Sequence, residues 1–438
     1  MKVCKFGGTS MADAAALRQS AEIVLSDKSR RYVVVSAPGK RNKDDDKITD
    51  LLYAAQKEAA ATGDCSRVFA KVENRFREIA AELKIDLDIG KYLDTVKSDI
   101  NDGAGAHYAA SRGEYLTALV FAAYLKFDFI DAQNIIKFYS DGAFDAEYTN
   151  DLAAETLAKS EYAVIPGFYG TLPSGAIRTF SRGGSDISGA IIARAAKAEV
   201  YENWTDVSGF MVCDPKIVPN PQKIDSLTYK ELRELSYMGA AVLHPESIFP
   251  VRKADIPINI RNTFSPNDSG TVIIPSKKYV RDHKRTITGV AGLKAFIAIN
   301  IEKSMMNSEI GFARRALSVL EHFNVSIEHM PSGIDTLSLV IDSRNVSSET
   351  LPLILERLHA VVNPDRIEVL KDLALVATVG HGMNMRKGTA AKLFGALASA
   401  GINIRMIDQG SSELNIIVAV ENSDFENAIR AIYKAFVE

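Results

Sequence analysis

The sequence lacks the features that mark several large classes of protein. Three cysteines, Cys4, Cys65 and Cys213, stand far apart in 438 residues, so they offer neither a disulfide framework nor a paired metal motif. No apolar run approaches the length of a membrane-spanning helix. The formal net charge of −3 provides no excess of cations for the phosphates of a nucleic acid. We therefore expect a cytoplasmic protein with no membrane segment and no nucleic-acid partner.

The familiar nucleotide-binding signatures are also absent. The chain has no G-x-x-x-x-G-K-[ST] string and none of the protein-kinase motifs. What stands at its start is Lys5-Phe6-Gly7-Gly8-Thr9-Ser10, in which a short apolar strand delivers a lysine, two glycines and two hydroxyls. Glycine lets backbone N–H groups approach an anion closely, and N–H groups at the start of a helix bind phosphate. The segment predicts a phosphate site, although a plain Gly-Gly turn before a helix has the same pattern.

The length predicts two or three domains. In the first half, the apolar strands Lys2–Phe6 and Tyr32–Ala37 flank a segment with helical spacing, Ala12–Leu25, and this βαβ pattern indicates parallel strands. Further helices are predicted at 48–81, 87–124 and 186–196, and further strands at 127–131, 163–169, 200–203 and 256–260. We expect an α/β sandwich around a mostly parallel sheet over residues 1–284, ending in a turn-rich connector from Asn262 to Lys284.

An internal repeat follows the connector. Residues 316–341 match 393–418 without a gap, and glycines recur at both turns of each copy. Each copy reads as a small α+β module, the first over 285–370 and the second over 371–438. The second copy ends with a helix and lacks the final strand of a βαββαβ module. We predict that the spare strand Thr286–Ala291 crosses over to complete it, so that the modules are interleaved.

Four further polar segments follow strands or open helices. They are Ser36-Ala37-Pro38-Gly39 with Ile48-Thr49-Asp50-Leu51, Ser111-Arg112-Gly113-Glu114, Ser181-Arg182-Gly183-Gly184-Ser185-Asp186, and Trp204-Thr205-Asp206 with Asp214-Pro215-Lys216. In parallel α/β sheets, ligands bind at the carboxyl ends of strands. Each segment also has a plain explanation. Glu114, just before a predicted helix, is equally explained as a carboxylate favoured by the helix dipole, and Asp-Pro is a common turn.

Taken together and in order, these segments closely resemble the aspartate kinase branch of the amino-acid kinase family. The motifs that carry the resemblance are residues 5–10, 36–37, 111–114, 166–168, 182–186, 205–207 and Val242-Leu243-His244-Pro245. The C-terminal copies resemble the ACT modules of that family, above all in 401–407 and 409–413. The resemblance implies an amino-acid-kinase-like αβα sandwich with a mostly parallel sheet, followed by two ACT-like α+β modules.

The resemblance also implies an activity, which is phosphoryl transfer from ATP with Mg²⁺ to the side-chain carboxylate of L-aspartate. This is the first step towards lysine, threonine and methionine. The implied catalytic residues are Lys5, Arg182 and Asp186, with Asp186 orienting Lys5 or a water bound to the metal. The implied aspartate-binding residues are Thr49, Glu114 for the ammonium, Phe168, Arg182 for a carboxylate, and Ser185. The implied nucleotide-binding residues are Lys5, Gly7, Gly8, Thr9, Ser10, Thr205, Asp206 and Lys216, and no residue is predicted to ligate metal directly.

The sequence departs from the family pattern at three nucleotide-facing positions. Ala241 stands where a lysine is usual, Met211 where a tyrosine is usual, and Lys216 where an arginine is usual. Two other activities stay open, a glutamate or carbamate kinase and a catalytically inactive amino-acid sensor. Glu114 and the doubled repeat favour the aspartate branch, and the retained lysine and arginine argue against an inactive sensor. The chain ends soon after the second copy, so we expect no dehydrogenase domain.

The first copy predicts an effector site. Its turn over residues 328–335 is expected to face the loop Asn307-Ser308-Glu309. The effector-binding residues that this geometry implies are Ser308, the amides of Gly311 and Phe312 for a carboxylate, Glu328 for a distal ammonium, and Ser332. A distal cation favours lysine over threonine as the effector, although a polar turn and helix cap would look the same. Because ACT modules pair between chains, we expect a homodimer or a dimer of dimers.

Overall fold

The computed structural model describes residues 1–181, 183–240, 243, 245–278 and 285–438. These residues form two compact units. The first unit contains Met1–Phe210, Asp225–Tyr229 and the described residues between 241 and 279. The second contains Met211–Ile224, Lys230–Ala240 and residues 285–438. Two segments from the middle of the chain therefore belong to the same unit as the C-terminal repeat.

The described part of the first unit is built on an eight-stranded sheet and one separate hairpin. Its strands are β1 (Lys2–Phe6), β2 (Arg30–Val35), β3 (Asp128–Phe129), β4 (Ala163–Pro166), β5 (Tyr169–Thr171), β6 (Ile177–Thr179), β7 (Val200–Thr205), β8 (Ser226–Thr228), β9 (Ile258–Asn262) and β10 (Thr271–Ile274). The sheet order is β3-β4-β2-β1-β7-β9-β10-β8, and β5 pairs with β6. The first six strands of that order run parallel, and β10 is antiparallel to β9.

Helices cover this sheet because its central strands are mostly buried and rich in apolar residues. The side chains of Val33, Val34 and Val35 are fully buried, as expected for a parallel strand covered on both faces. The helices are α1 (Ala14–Leu25), α2 (Ile48–Thr62), α3 (Ser66–Leu83), α4 (Ile89–Asn101), α5 (Ala106–Leu125), α6 (Ala132–Ile135), α7 (Ala146–Leu157), α8 (Gly184–Ala195), α9 (Tyr229–Tyr237, mostly in the second unit) and α10 (Phe249–Lys253). The predicted α/β sandwich with a mostly parallel sheet is confirmed.

Several predicted boundaries are wrong, each for a local reason. The helix predicted at 48–81 is two helices, since Gly63 takes a left-handed conformation (φ 79°) that ends α2. The helix predicted at 87–124 is likewise divided, into α4 and α5. The connector contains β10, a strand of the main sheet, and its residues 279–284 lie outside the described residues. The short β-branched run Thr271–Ile274 was hidden by the turn residues around it.

The second unit contains a five-stranded sheet in the order β12-β11-β13-β15-β14. Its elements are β11 (Gly289–Glu302), α11 (Phe312–His322), β12 (Thr336–Asp342), α12 (Thr350–Val362), β13 (Arg366–Val379), α13 (Thr389–Ser399), β14 (Met406–Asp408), β15 (Asn415–Glu421) and α14 (Phe425–Val437). The repeat is visible in detail. Gly311 and Gly388, with φ of 79° and 83°, hold the same left-handed position before α11 and α13.

The two long strands β11 and β13 each serve both copies of the repeat. Gly289–Lys294 pair with Val379–Ala374, which is the strand that opens the second copy. Phe296–Glu302 pair with β12 and with the first half of β13, inside the first copy. The register shifts between these halves, where Ala295 has a φ of 77°. The prediction that Thr286–Ala291 completes the second copy is confirmed for Gly289–Ala291, but these residues are the start of the long strand β11 and not a separate strand. In the described parts of both units, no helix is long and apolar enough to cross a membrane.

Candidate active site

The predicted site segments meet at one edge of the first unit's sheet. Five neighbouring strands, in the order β4-β2-β1-β7-β9, run parallel, so their carboxyl ends lie side by side. The residues that directly follow these ends are Gly167-Phe168, Ser36–Gly39, Gly7-Gly8, Asp206 and Thr263. Segments that are as much as 256 residues apart in the chain are thereby neighbours, in the position where parallel α/β sheets bind ligands.

A buried ion pair occupies the centre of this edge. Lys5, near the end of β1, is only 7% exposed, and its Nζ lies 2.6 Å from Oδ1 of Asp186 in the first turn of α8. Asn203 stands beside Lys5 on β7 and donates its amide to the same oxygen at 2.9 Å. The predicted pairing of Lys5 with Asp186 is thus present, and Asn203 is a residue that sequence reasoning missed. Its only signal was a polar amide within the buried strand Val200–Thr205.

The residues after β1 form a glycine turn (residues 7–11) that ends in a single 3-10 turn, Thr9–Met11. Helix α1 starts later, at Ala14, and is capped by the side chain of Asp13. The amides of Gly8 and Thr9 have no acceptor among the described residues. The amide of Gly7, by contrast, donates to the carbonyl oxygen of Trp204 at 3.0 Å. The expectation that Gly7 offers a free amide at a helix start is therefore wrong.

Ser10 faces away from the open side of the glycine turn. Its side chain is fully buried, and its hydroxyl lies 2.8 Å from that of Thr263. Because that hydroxyl is committed inside the protein, Ser10 is placed to stabilise the turn from behind rather than to contact a phosphate. Thr9 is only partly buried and stands on the open side.

The glycine turn packs directly on the loop that follows β2. The amide of Gly39 donates to the carbonyl oxygen of Gly8 at 2.8 Å. A Cβ atom on Gly39 would lie 2.7 Å from the carbonyl carbon of Gly8, closer than any real contact. Only glycine allows this approach. The glycine turn and the loop after β2 are therefore in direct backbone contact.

Glu114 lies in the interior of α5, well past its first turn, so the explanation by the helix dipole is wrong. The residue is 5% exposed and its Oε2 atom has no hydrogen-bond partner among the described residues. Burial raises the pKa of its carboxyl to about 8, although the backbone N–H of Ala37 and the charges of Arg112 and Lys5 act in the opposite direction. A buried carboxylate with an unpartnered oxygen is a natural partner for a bound cation.

Arg112, next to Glu114 on α5, was not predicted to have a role. Its guanidinium is buried and lies 4.5 Å from the ring centres of both Tyr108 and Tyr115 and 5.1 Å from that of Tyr169. It also donates to the hydroxyl of Ser111 at 2.9 Å. These cation–π contacts keep a charge buried near the site without placing a carboxylate against it.

The other described residues that are predicted to bind aspartate lie on the loop after β4 and in the first turns of α2 and α8. Phe168 has a φ of 80°, and its amide donates to the hydroxyl of Ser188 on α8 at 3.0 Å. Ser185 is buried at the start of α8, where a Cβ on Gly167 would lie 2.7 Å from its own Cβ. Thr49 is half-buried in the first turn of α2. A left-handed phenylalanine stores local strain, which is typical of functional sites.

The nucleotide-facing predictions divide between the two units. Thr205 ends β7, and its hydroxyl donates to the carboxylate of the exposed Asp206 at 3.2 Å. Lys216 belongs to the second unit, where its amide donates to Asp214 at 2.8 Å. Arg182 and Ala241 lie outside the described residues, as do Val242 and His244 of the same motif.

In the second unit, the predicted effector turn does meet the predicted loop. The amide of Asn307 donates to the carbonyl oxygen of Ile334 at 3.1 Å, and that of Met305 to the carboxylate of Asp335 at 2.8 Å. Ser308 and Ser332 are both exposed there.

Two contacts change the predicted effector site. The amide of Phe312 donates to the carbonyl oxygen of Glu309 at 3.2 Å, so the expectation that it is free is wrong. The amide of Gly311 has no acceptor among the described residues. The carboxylate of Glu328 accepts a hydrogen bond from the hydroxyl of Tyr237 on α9. Tyr237 is distant in sequence, and nothing in the local pattern indicated this contact.

Comparison with known proteins agrees with this arrangement. A model of the amino acid kinase family matches residues 1–262, and an ACT domain model matches residues 376–436. Aspartokinase 3 of Bacillus subtilis is 36% identical over 452 residues, which cover 100% of this chain and 98% of that protein. The crystal structure of Clostridium acetobutylicum aspartate kinase is 50% identical, with a TM-score of 0.95 and full coverage of both chains.

Escherichia coli aspartokinase III is a more distant match, at 27% identity and full coverage of both chains. Its complex with aspartate and ADP has a TM-score of 0.76, and its complex with lysine and aspartate a TM-score of 0.75. A family model that spans more than half of the chain and relatives that match it from end to end lead to one conclusion. The chain belongs to the amino acid kinase family, and within it to the aspartokinases, the aspartate kinases that carry an ACT region.

Proposed function

We propose that the chain transfers the γ-phosphoryl group of ATP to the side-chain carboxylate of L-aspartate, forming 4-phospho-L-aspartate, as the first step towards lysine, threonine and methionine. The observation that carries this proposal is that one sheet edge holds both a site suited to an anion and a site suited to a cation. Lys5, held by Asp186, lies beside the amides of Gly8 and Thr9, which have no acceptor among the residues that the structure describes. Glu114 offers a buried carboxylate oxygen that has no hydrogen-bond partner in the part of the chain that the structure describes. The first group suits phosphate and the second suits an ammonium.

The reaction needs positive charge more than it needs a base. The substrate carboxylate is already an anion at neutral pH, because a free aspartate side chain titrates near pH ~4. The main barrier is the approach of this anion to a polyanionic triphosphate, and preorganised charge and N–H dipoles lower it. Lys5 supplies that charge with little reorganisation, because Asp186 and Asn203 already fix its position.

The carboxylates at this edge fit a Mg²⁺ ion that arrives with ATP. Such an ion keeps several waters and takes one or two carboxylates alongside the phosphates. Asp186, whose Oδ1 already binds Lys5 and Asn203, and the exposed Asp206 would hold such an ion through its waters and not as direct ligands. Bound Mg²⁺ would neutralise part of the triphosphate charge.

We assign the aspartate-binding roles by motif together with burial. Glu114 holds the substrate ammonium, and Arg182 forks onto its α-carboxylate. Ser185 and Phe168 line the pocket from the start of α8 and the end of β4, and Thr49 lines it from α2. The Escherichia coli relative that binds aspartate and ADP supports a shared site for the two substrates.

The test is an assay of ADP release with L-aspartate, L-glutamate or no acceptor, with the acyl phosphate trapped as a hydroxamate. We expect release that depends on aspartate, together with aspartyl hydroxamate as the product. Preference for glutamate would assign the chain to another substrate. Binding of amino acids without any ADP release would instead indicate that the chain is an amino-acid sensor.

We further propose that the ACT copies, over 285–370 and 371–438, bind lysine as an inhibitor, while residues 1–284 carry catalysis. Glu328 and the amide of Gly311 provide a cation partner and an anion partner within one module. The Escherichia coli relative that binds lysine supports this effector. Lysine should inhibit the wild type at millimolar concentrations and lose potency in Glu328→Ala. Glu356→Ala, an exposed glutamate on α12, is the matched control. Inhibition by threonine alone would contradict the choice of effector.

Assembly and location complete the proposal. ACT pairing between chains makes the protein a homodimer or a dimer of dimers, which light scattering with and without lysine would measure. The three free cysteines are all buried, which suits a reducing cytoplasm.

A further inference from the structure

Arg75 on α3 was not singled out by any sequence pattern, yet its guanidinium connects the loops of the nucleotide site. We propose that Arg75 is a positioning residue for nucleotide binding, acting through the backbone of the glycine turn and of the loop after β2. This inference rests on the proposed function, because it assumes that the glycine turn binds the phosphates of ATP.

The contacts of Arg75 reach three separate pieces of chain. The residue is 4% exposed. Its Nη1 donates to the carbonyl oxygen of Ala12 at 3.1 Å and to that of Gly39 at 3.3 Å. Its Nη2 donates to both carboxylate oxygens of Asp45, at 2.7 Å and 2.6 Å. A single buried guanidinium thus donates to two backbone carbonyls and to one carboxylate.

The acceptors matter because of what they adjoin. Ala12 directly follows the glycine turn, in which the amide of Gly8 has no acceptor within the described ranges of the chain. Gly39 is the residue whose amide donates to the carbonyl oxygen of Gly8 and whose lack of a Cβ permits that contact. By binding both carbonyls, Arg75 fixes the distance between the two loops. The direction of the Gly8 amide depends on that distance, and anion binding requires amides that are already oriented.

The third contact anchors a strongly charged loop. Asp45 lies in residues 39–47, which also contain four basic residues and two further aspartates. Arg41 binds the same carboxylate at 3.1 Å from the exposed side. Burial acts to raise the pKa of Asp45, but hydrogen bonds from Arg41 and the charge of Arg75 lower it overall, so the carboxylate is ionised at neutral pH. This keeps the charged loop attached to α3 beside the site.

Lysine could not replace Arg75 in this arrangement. The guanidinium uses two nitrogens in a planar fork, one towards the carboxylate and one towards the two carbonyls. An ammonium is a single point of charge and cannot hold both directions at once. Arg75→Lys therefore keeps the charge and most of the volume while removing the bridge.

The experiment compares Arg75→Lys with Arg77→Lys in the full-length protein. Arg77 lies on the same helix but is exposed and pairs only with Glu73 at 2.7 Å among the described residues. ADP affinity is measured by calorimetry, the KM for aspartate by the coupled assay, and folding by thermal denaturation. We expect the Kd for ADP to rise about tenfold in Arg75→Lys, which is about 1.4 kcal/mol. The KM for aspartate should change less than about twofold, and Arg77→Lys should match the wild type.

A second variant keeps the inference testable if Arg75→Lys does not fold. Asp45→Asn removes the carboxylate charge but leaves both carbonyl contacts, so it should raise the ADP Kd by roughly threefold, less than the full loss. An unchanged ADP Kd in both folded variants, or equal losses of ADP and aspartate affinity, overturns the positioning role. If the wild type binds ADP but does not phosphorylate aspartate, the proposed reaction is refuted. The role of Arg75 in nucleotide binding is then still decided by the ADP Kd values of the variants.

Discussion

The charge state of Glu114 should control the binding of aspartate. Burial raises the pKa of this carboxyl from 4.5 to about 8 in the empty site. At pH 7 only about one molecule in ten then carries the carboxylate that the substrate ammonium needs. The value of kcat/KM for aspartate should therefore rise by nearly tenfold per pH unit below that pKa and level off above it. The same ratio for ATP, measured at saturating aspartate, should depend much less on pH.

The sign of the stability effect follows from the same shift. A carboxyl whose folded pKa is raised keeps its proton in the native protein at pH values where the unfolded chain has lost it. The free energy of unfolding that this shift contributes is therefore fully present below pH 4.5 and is lost as the pH rises through about 8. The shift corresponds to at most ~5 kcal/mol at about 1.4 kcal/mol per unit. The difference in free energy of unfolding between wild type and Glu114→Gln should carry this pH dependence.

Two measurements make the prediction for Glu114 decisive. Calorimetry of aspartate binding in buffers with different ionisation enthalpies should show release of close to one proton per site at pH 7 in the wild type, and none in Glu114→Gln. The same variant should raise the KM for aspartate by roughly 10–150-fold, because a hydrogen bond to a charged group contributes about 1.5–3 kcal/mol. A wild type with flat kcat/KM for aspartate between pH 6 and 8, or a Glu114→Gln variant with the wild-type KM, refutes the reasoning.

Three further predictions concern the rest of the site. Lys5→Ala should lower kcat, because loss of a preorganised charge removes about 2–4 kcal/mol of transition-state stabilisation. Lysine binding measured by calorimetry should not change. Near-normal turnover of Lys5→Ala would refute the assignment of Lys5 to the phosphate site. Gly39→Ala should weaken ADP binding, since its Cβ would meet the carbonyl carbon of Gly8 at 2.7 Å, whereas Gly105→Ala meets no atom within 4 Å and should bind ADP normally. Arg182→Lys should raise the KM for aspartate more than that for ATP because lysine cannot form the bidentate fork, and the reverse pattern would exchange the two roles.

Local patterns in the sequence were sufficient for the outline of the fold. The buried strand Lys2–Phe6 and the glycine-led helices of the repeat were predictable, because apolar period and turn residues act over a few positions. The missing strand of the second copy could be noticed for the same reason, since a module that lacks one element cannot bury its sheet alone. The helices 48–62 and 66–83 were merged because a lone left-handed Gly63 looks like any glycine in a helical pattern.

The site itself was only partly visible in the sequence. Lys5, Asp186 and Glu114 belong to short motifs, so resemblance to a family located them without any geometry. The motif did not reveal that Ser10 turns inward to Thr263 or that the amide of Phe312 is already bonded. The first depends on which groups stand opposite across the fold, and the second on the local backbone conformation of the turn before α11.

The sequence by itself therefore determined the family, the order of the elements and the residues that carry charge at the site. Only the tertiary structure decided which of those groups have partners. The Lys5–Asp186 contact depends on the register of β1 against β7 and on where α8 begins. The bridge made by Arg75 depends on α3 packing beside two loops that are far from it in sequence. Hydrogen bonds and ion pairs act over about 3 Å, so their presence depends on long-range packing that no local pattern encodes.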